Sequence, residues 1–146
     1  MMVGELALLF LGAVIGWAVS LYGFRVSEIT NLITDHINDL VKYSEELRLH
    51  WSKSFVHDHQ SQTQEIIRII ALHDSIRSFY NHHALYILSK KNLFKYIKLN
   101  EELLQATTGA DFEAVGRDHN KAKTIETQQI SWELIQILRR ERRMQY

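Results

Sequence analysis

An uncharged stretch near the start of the chain, Leu6 to Phe24, constrains the fold more than any other feature. A helix rises about 1.5 Å per residue, so roughly 20 apolar residues cross a hydrocarbon core of about 30 Å. The stretch just meets that length when Val3 and Gly4, which precede Glu5, are added to it. The sequence therefore predicts a single transmembrane helix in residues 1–25, with the lipid bilayer as its first partner.

The alternative to a retained anchor is a cleaved secretory signal, because Ala18-Val19-Ser20 has the small-x-small form of a cleavage site. A signal peptide begins with Lys or Arg before a shorter apolar core. Here the only charged side chain before the apolar core is that of Glu5. We therefore favour a retained anchor.

The charges that flank the stretch predict its orientation. No Lys or Arg precedes it, whereas Arg25, Lys42, Arg48 and Lys53 follow it. Because positive residues stay on the cytoplasmic side, we expect the N-terminus outside and the C-terminal domain in the cytoplasm, at the inner (plasma) membrane. The absence of cysteine agrees with a reducing compartment.

Small residues recur every four positions along the predicted anchor, at Gly4, Gly12, Gly16 and Ser20, with a gap at position 8. On a helix this spacing forms a groove in which a second backbone can approach closely and gain dispersion contacts. We therefore predict a homo-oligomer whose interface includes Gly12, Gly16 and Ser20. The alternative is that glycine is simply common in membrane helices.

The remainder of the chain, residues 26–146, reads as one small helical domain. The chain has no proline, and only Gly109 and Gly116 follow Gly23, so helix breakers are scarce. We predict an all-α fold in which the transmembrane helix continues into a cytosolic bundle of about four helices. The 17 basic and 17 acidic residues cancel, so no general nucleic-acid binding is expected.

Apolar residues at steps of three and four predict the first soluble helix, from Val26 to about Val56. They are Val26, Ile29, Ile33, Ile37, Leu40, Leu47, Trp51 and Phe55. Nothing between Phe24 and Ile29 would stop a helix, so we expect the anchor and this segment to form one rod, suited to a stalk in a parallel bundle. Ser44 interrupts the apolar seam and argues against a long regular coiled coil.

Three further helices are predicted after the polar interval at 57–64. The second extends from about Thr63 to Leu88, with Ser61 and Gln64 as a capping box. Because it is apolar on more than one face, we place it at the centre of the domain or of an assembly. Asn92 is predicted to cap a third helix through about Ala106. Asp111 is predicted to begin a fourth, whose apolar residues include Phe112, Val115, Trp132 and Leu138 and which ends in the basic segment.

The basic segment Arg139-Arg140-Glu141-Arg142-Arg143 has two interpretations. The first, which we favour, is that the guanidinium groups complement the negative end of a helix dipole. The second is a contact with phosphate, either of inner-leaflet lipid or of a nucleotide.

The sequence predicts no metal site and no cofactor. It has 8 histidines and no cysteine, and no His-Glu-x-x-His spacing occurs. It also lacks a Gly-x-Ser-x-Gly elbow, a phosphate-binding glycine loop and a dinucleotide fingerprint. These absences favour a protein that is not an enzyme.

One polar cluster on the second predicted helix, Arg77 to His83, is a candidate site. Guanidinium and imidazolium groups both donate to phosphate, so Arg77, Asn81, His82 and His83 are the predicted ligand-binding residues, and the candidate ligand is an anionic nucleotide shared between subunits. The Arg-x-x-x-x-His spacing resembles the motif of the HEPN ribonucleases, although Ser78 stands where that family usually has a residue such as Asn or His. The resemblance implies Arg77 and His82 as catalytic candidates. The alternative is an ordinary polar helix face.

The layout of a short anchor and a compact helical domain is similar to that of small membrane effectors of prokaryotic antiviral systems. These include CRISPR accessory proteins, some of them gated by cyclic oligonucleotides and some with HEPN-like bundles. The resemblance implies that a ligand changes the packing of the anchors. Three functions are therefore carried forward, in order of preference: a ligand-sensing membrane effector, a non-enzymatic tether or assembly factor, and a membrane-bound ribonuclease.

Overall fold

The protein is helical almost throughout. The computed structural model describes residues 2–108 and 112–145, and these two ranges contain no strand. The helices are α1 (Met2–Ser52), α2 (His59–His82), α3 (Ala84–Ile87), α4 (Lys90–Thr108) and α5 (Lys121–Met144). The predicted all-α fold with a long apolar N-terminal helix is confirmed.

Helix α1 extends over 51 residues without interruption, as predicted for a rod. In its first half, from Leu6 to Phe24, the side chains are exposed, and Leu8, Leu9 and Phe10, for example, are 71%, 71% and 73% exposed. This half is long and apolar enough to cross a membrane. From Ile33 onward the same helix enters the bundle, where Ile33 is fully buried.

The second half of α1 is the element on which the bundle is built. Helix α2 runs antiparallel to it, since His50 lies beside Glu65 and His36 stacks on Phe79. Helix α5 runs antiparallel on another side, from a hydrogen bond between Asn120 N and Trp51 O (2.7 Å) to one between Arg142 Nη1 and Thr34 Oγ1 (3.3 Å). Helix α4 packs mainly on α5. Helix α1 therefore joins the two sides of the bundle.

The two ends of the bundle are named by their relation to the exposed half of α1. The anchor end, from which that half emerges, comprises α3, the start of α4 and the end of α5. The far end comprises residues 50–62 and 112–121. We use these two names below.

The predicted apolar seam forms the core, and its buried members on α1 are Ile33, Ile37, Leu40, Leu47 and Trp51. Helix α1 ends at Ser52 rather than near Val56, so Phe55 is buried from the loop that follows. Each fully buried side chain of this size stabilises the fold by about 1.5–3 kcal/mol. Ser44, the polar residue in the seam, faces α5, where Gln128 Nε2 donates to its carbonyl (2.7 Å) and its hydroxyl (2.8 Å). The interruption is therefore a polar contact between helices.

Helix α2 differs from its prediction at both ends. Its N-cap is Asp58, whose Oδ1 accepts from the amide of Ser61 (3.0 Å), so the capping box at Ser61 was wrong. It ends at His82, and a separate short helix follows. It does not lie at the centre of the domain either, because Ile67 remains 62% exposed.

The starts of α4 and α5 also differ from prediction. Asn92 does not cap α4, which begins at Lys90, and its side chain instead donates to Glu141 (2.5 Å). Helix α5 begins at Lys121 with Asn120 as N-cap. The predicted start, Asp111, lies outside the described residues.

The prediction of α5 included apolar residues that lie outside this helix or outside the core. Phe112 is 3% exposed but packs from a loop, and Val115 is 80% exposed. Gly116, with φ +69°, turns that loop. Trp132, expected in the core of α5, is 57% exposed and lies under the guanidinium of Arg139.

Candidate functional site

The predicted oligomer interface lies on the exposed half of α1. A Cβ built on Gly12 or Gly16 meets no atom within 4 Å, so the groove at these positions is open. Ser20 Oγ donates to Gly16 O (2.9 Å), which satisfies the hydroxyl within the helix. A second helix could therefore approach this face without meeting an unpaired polar group. The association itself stays a prediction.

The predicted ligand cluster lies near the end of α2. Arg77, Asn81 and His82 are exposed, and His83 is half-buried with its ring 5.9 Å from that of Phe79. Arg77 and Asn81 are four residues apart and share a helix face, whereas Arg77 and His82, five residues apart, are separated by about 140° around the axis. One subunit therefore presents Arg77 and Asn81 on one face of α2 and His82 on another. The catalytic assignment of these two residues stays a prediction.

The buried ring of His36 joins α1, α2 and α4, a contact that the sequence analysis did not predict. The ring of His36 stacks on Phe79 at 3.8 Å between centroids and 5° between planes. Its Nε2 lies 2.7 Å from the hydroxyl of Tyr96. Burial, assisted by the charge of His83, lowers the pKa of His36 to about 3, so the ring is neutral at physiological pH. Burial also raises the pKa of Tyr96.

A second buried histidine, His50, lies at the far end among the rings of Trp51, Phe55 and Phe112. Its Nδ1 is 3.7 Å from Glu65 Oε2, which is too long for a hydrogen bond. Burial and the nearby charge of Arg117 lower the pKa of His50 to about 4. This neutral ring is therefore part of the core.

Charged and polar groups around His50 hold the 112–120 loop against the corner between α1 and α2. Arg117 Nη2 donates to His50 O (2.6 Å), and its guanidinium lies 4.3 Å from the centre of the Trp51 ring. Gln62 bridges the same loop, donating to Ala114 O (2.7 Å) and accepting from Gly116 N (3.0 Å). Every one of these contacts fastens protein to protein, so we assign the cluster a structural role.

The basic segment of α5 lies at the anchor end. Glu141 within it is buried and accepts from the amide and hydroxyl of Ser89 (3.0 and 3.1 Å) as well as from Asn92. Arg140 and Arg143 are exposed, whereas Arg139 and Arg142 are half-buried. The carboxylate therefore fixes the turn between α3 and α4, and the exposed guanidinium groups face solvent.

A groove of about 710 Å³ lies between α4 and α5. Charges of both signs line it, including Lys95, Lys98, Glu102 and Arg140. None of the four predicted ligand residues borders it. Across the described ranges, no three His, Asp or Glu side chains converge on a position that could hold a metal ion.

The sequence did contain a signal for the buried histidines. His36, Tyr43 and His50 are seven residues apart, which repeats one helix face beside the apolar seam. Tyr43 is buried too, and its hydroxyl donates to Thr107 Oγ1 (3.1 Å).

The comparisons with known proteins add no family to this geometry. No protein-family model matches the chain, and no curated protein or solved structure matches it significantly. Function is therefore argued from the sequence and the structure alone.

Proposed function

We propose that the chain is a single-pass membrane-anchored, self-associating protein whose helical domain acts by binding. The observation that carries this proposal is the continuity of α1. One unbroken helix presents a bare apolar half, with Gly12 and Gly16 open, and then supplies the centre of the bundle. The orientation with the bundle in the cytoplasm belongs to the same proposal and rests on the flanking charges.

Because α1 forms both the anchor and the centre of the bundle, association of the anchors in the membrane is linked to the packing of the bundle. Residues 33–51 of α1 pack against both α2 and α5, so a rotation of the anchor moves the surface on which both helices rest. The helix contains no proline that would let its two halves turn independently. A ligand or partner bound to the bundle is thus linked to anchor packing, and the linkage is reciprocal.

The experiment that tests self-association compares Gly16→Leu with Ala18→Leu in the detergent-solubilised full chain. Residues 16 and 18 lie about 160° apart around the helix, so only the first substitution fills the glycine groove. We expect analytical ultracentrifugation to give an oligomer for the wild type and for Ala18→Leu, and a monomer for Gly16→Leu. A monomeric wild type, or equal behaviour of the two variants, would overturn the proposed interface.

Sensing of an anionic ligand is a second candidate function, supported by the exposure of Arg77, Asn81 and His82 on α2. The control is Arg68, which has the same spacing to His73 but lies 3.6 Å from Glu46 in an ion pair. We expect calorimetric titration with a cyclic oligoadenylate to give binding that Arg77→Ala abolishes and Arg68→Ala preserves. No heat with the wild type would remove this candidate and leave the tether or assembly factor.

The antiviral effector and the ribonuclease make narrower predictions. The effector requires that the ligand change the packing of the anchors, which cross-linking through the 12–20 face would detect. The ribonuclease requires that Arg77→Ala and His82→Ala each abolish RNA cleavage while leaving the fold intact. An intact oligomer without cleavage would favour binding over catalysis.

A further inference from the structure

The anchor end carries large apolar side chains that the described part of the protein leaves uncovered. Leu85 and Tyr86 of α3 are 67% and 83% exposed, and Phe94, just after the first turn of α4, is 72% exposed. Met144 at the end of α5 is 58% exposed. Single exposed apolar residues are ordinary on protein surfaces. Here they gather at one end of the molecule, on elements held together by Ser89 and Glu141.

Basic side chains gather at the same end. They are Arg25, Lys90, Lys91, Arg139, Arg140, Arg142 and Arg143. The exposed acidic residues nearest to them along the helices are Glu28, three residues after Arg25, and Glu133, six residues before Arg139. Glu141 is buried against Ser89 and Asn92. A protein of zero formal charge thus concentrates positive charge at its anchor end. Such a local field attracts anions.

Among these basic residues, Lys90 and Lys91 of α4 do not stabilise the helix to which they belong. Lys90 and Lys91 open α4, whose first turn has no acidic residue. Cations at the positive end of a helix dipole are unfavourable, by several tenths of a kcal/mol. The arginines of α5 complement the dipole of their own helix, but the two lysines oppose theirs. Lys121 and Lys123 occupy the same kind of position at the start of α5, so what distinguishes the α4 lysines is their place at the anchor end.

The position of the anchor end along α1 places it next to the expected membrane surface. Gln145 borders a cavity of about 400 Å³ with Tyr22, Gly23 and Asn31. The end of α5 therefore reaches the level of α1 at which its apolar stretch, Leu6 to Phe24, ends. Glu141, one turn earlier, fixes Ser89. From Phe24 to Thr34, α1 rises about 15 Å. The headgroup layer covers roughly 6 Å of that distance. A tilt of α1 by about 20° from the bilayer normal brings one side of the bundle closer to the lipid.

We propose that the anchor end is a second membrane contact, formed by α3, the start of α4 and the end of α5, which binds an anionic lipid surface. Leu85 and Tyr86 enter the interfacial layer, where a ring with one polar end is favoured. Lys90, Lys91, Arg140 and Arg143 pair with lipid phosphate. This inference rests on the proposed function in one respect, that the first half of α1 spans the bilayer.

The test uses the absence of cysteine, which allows a single label at any position of the full chain. Three variants, Tyr86→Cys, Ile67→Cys and Val14→Cys, are labelled with an environment-sensitive fluorophore. Each is placed in phosphatidylcholine nanodiscs with or without phosphatidylglycerol. Ile67 is the matched control, since it is exposed on α2 but lies toward the far end. The readout is quenching by lipids with a nitroxide near the headgroup or deep in the chain region.

We expect the headgroup nitroxide to quench the label at 86 several-fold more than the label at 67, with a larger effect in anionic discs. If the deep nitroxide quenches position 14 while position 86 behaves like position 67, the second contact is overturned and the anchor stands. That result would fit a surface kept free for a protein partner. If position 14 is not quenched, the proposed span fails, whatever position 86 shows. Leu85→Cys repeats the measurement at a neighbouring site.

A charge substitution tests the role of the lysines. Lys90→Gln with Lys91→Gln removes two charges from the first turn of α4, and Lys121→Gln with Lys123→Gln removes two from the first turn of α5 at the far end. We expect only the first pair to reduce the difference in quenching at position 86 between anionic and neutral discs, by several-fold. An equal response to both pairs would contradict a local contact.

Discussion

The two halves of α1 share one backbone but have opposite surroundings. Residues 6–24 are exposed along their whole length, and Leu11, for example, is 60% exposed. In the second half, Leu40 and Leu47 are fully buried. Both halves are helical without interruption, so local propensity does not distinguish them. The comparison teaches that apolar residues on all sides of a helix suit lipid, whereas an apolar stripe suits a protein core.

The largest expected difference between the halves lies in their contribution to the stability of the bundle. We expect Leu40→Ala to lower the free energy of unfolding by about 2–5 kcal/mol, because it leaves a cavity in a closed core. Leu11→Ala is the matched substitution in the exposed half, where we expect a change within about 0.5 kcal/mol. Denaturant unfolding of the bundle in mild detergent measures both. Equal effects would mean that the first half also packs on protein.

A pH dependence sharpens the comparison, because only the second half contains buried histidines. His36 and His50 have pKa values of about 3 and 4 in the folded protein, below the value of 6.5 for an unfolded chain. The unfolded state therefore takes up protons first as the pH falls. Stability is complete above about pH 6.5 and is lost on acidification toward pH 4. At pH 5 the loss is about 2 kcal/mol for each histidine.

Unfolding curves between pH 7.5 and pH 5, in about half-unit steps, measure this loss. We expect His36→Gln to flatten the dependence by about half, while His57→Gln, at an exposed position, leaves it in place. A stability that does not change over this range would show that the rings of His36 and His50 are solvated.

The smallest of these effects concerns the polar contact that replaces an apolar residue in the seam of α1. Gln128 donates twice to Ser44, whereas its neighbour Gln129 is exposed. We expect Gln128→Ala to destabilise the bundle by about 1–2 kcal/mol, because the buried hydroxyl of Ser44 loses its hydrogen-bond donor and the carbonyl loses a second donor beside its intrahelical bond. Gln129→Ala should change stability by less than about 0.5 kcal/mol. The two variants are compared by thermal unfolding, and identical midpoints would contradict the assigned contact.

The sequence predicted those parts of the fold that depend on long-range pattern. The rod of α1 followed from an uncharged stretch joined to an apolar stripe without a breaker, and the seam from Ile33 to Phe55 is buried as expected. Helix starts were less predictable, since Asp58 and Ser61 are both good capping residues and only the structure shows that Asp58 accepts the bond. Phe112 misled the pattern because a buried loop residue and a helix residue look alike in sequence.

The candidate site was predictable only in part. Gly12, Gly16 and Ser20 lie on the exposed half of α1, and their role in association stays a prediction. The segment from Arg77 to His83 is a surface of α2, and its ligand stays a prediction. The exposed residues of the anchor end could not be found from sequence, because Tyr86 and Phe94 belong to apolar stretches that suggest burial. Tyr86 lies on the short helix α3, which follows the turn at His83 where α2 ends early.

The most direct test of the account compares solvent access to the two halves of α1 in a bilayer. Single-cysteine variants Val14→Cys and Val41→Cys are suited to it, since both positions are about half exposed in the protein itself, at 47% and 48%. The full-length variants are placed in lipid nanodiscs and treated with a charged maleimide. The account predicts rapid labelling at position 41 and protection at position 14 until the disc is dissolved. Equal labelling of both positions in the intact disc would contradict a membrane-spanning first half.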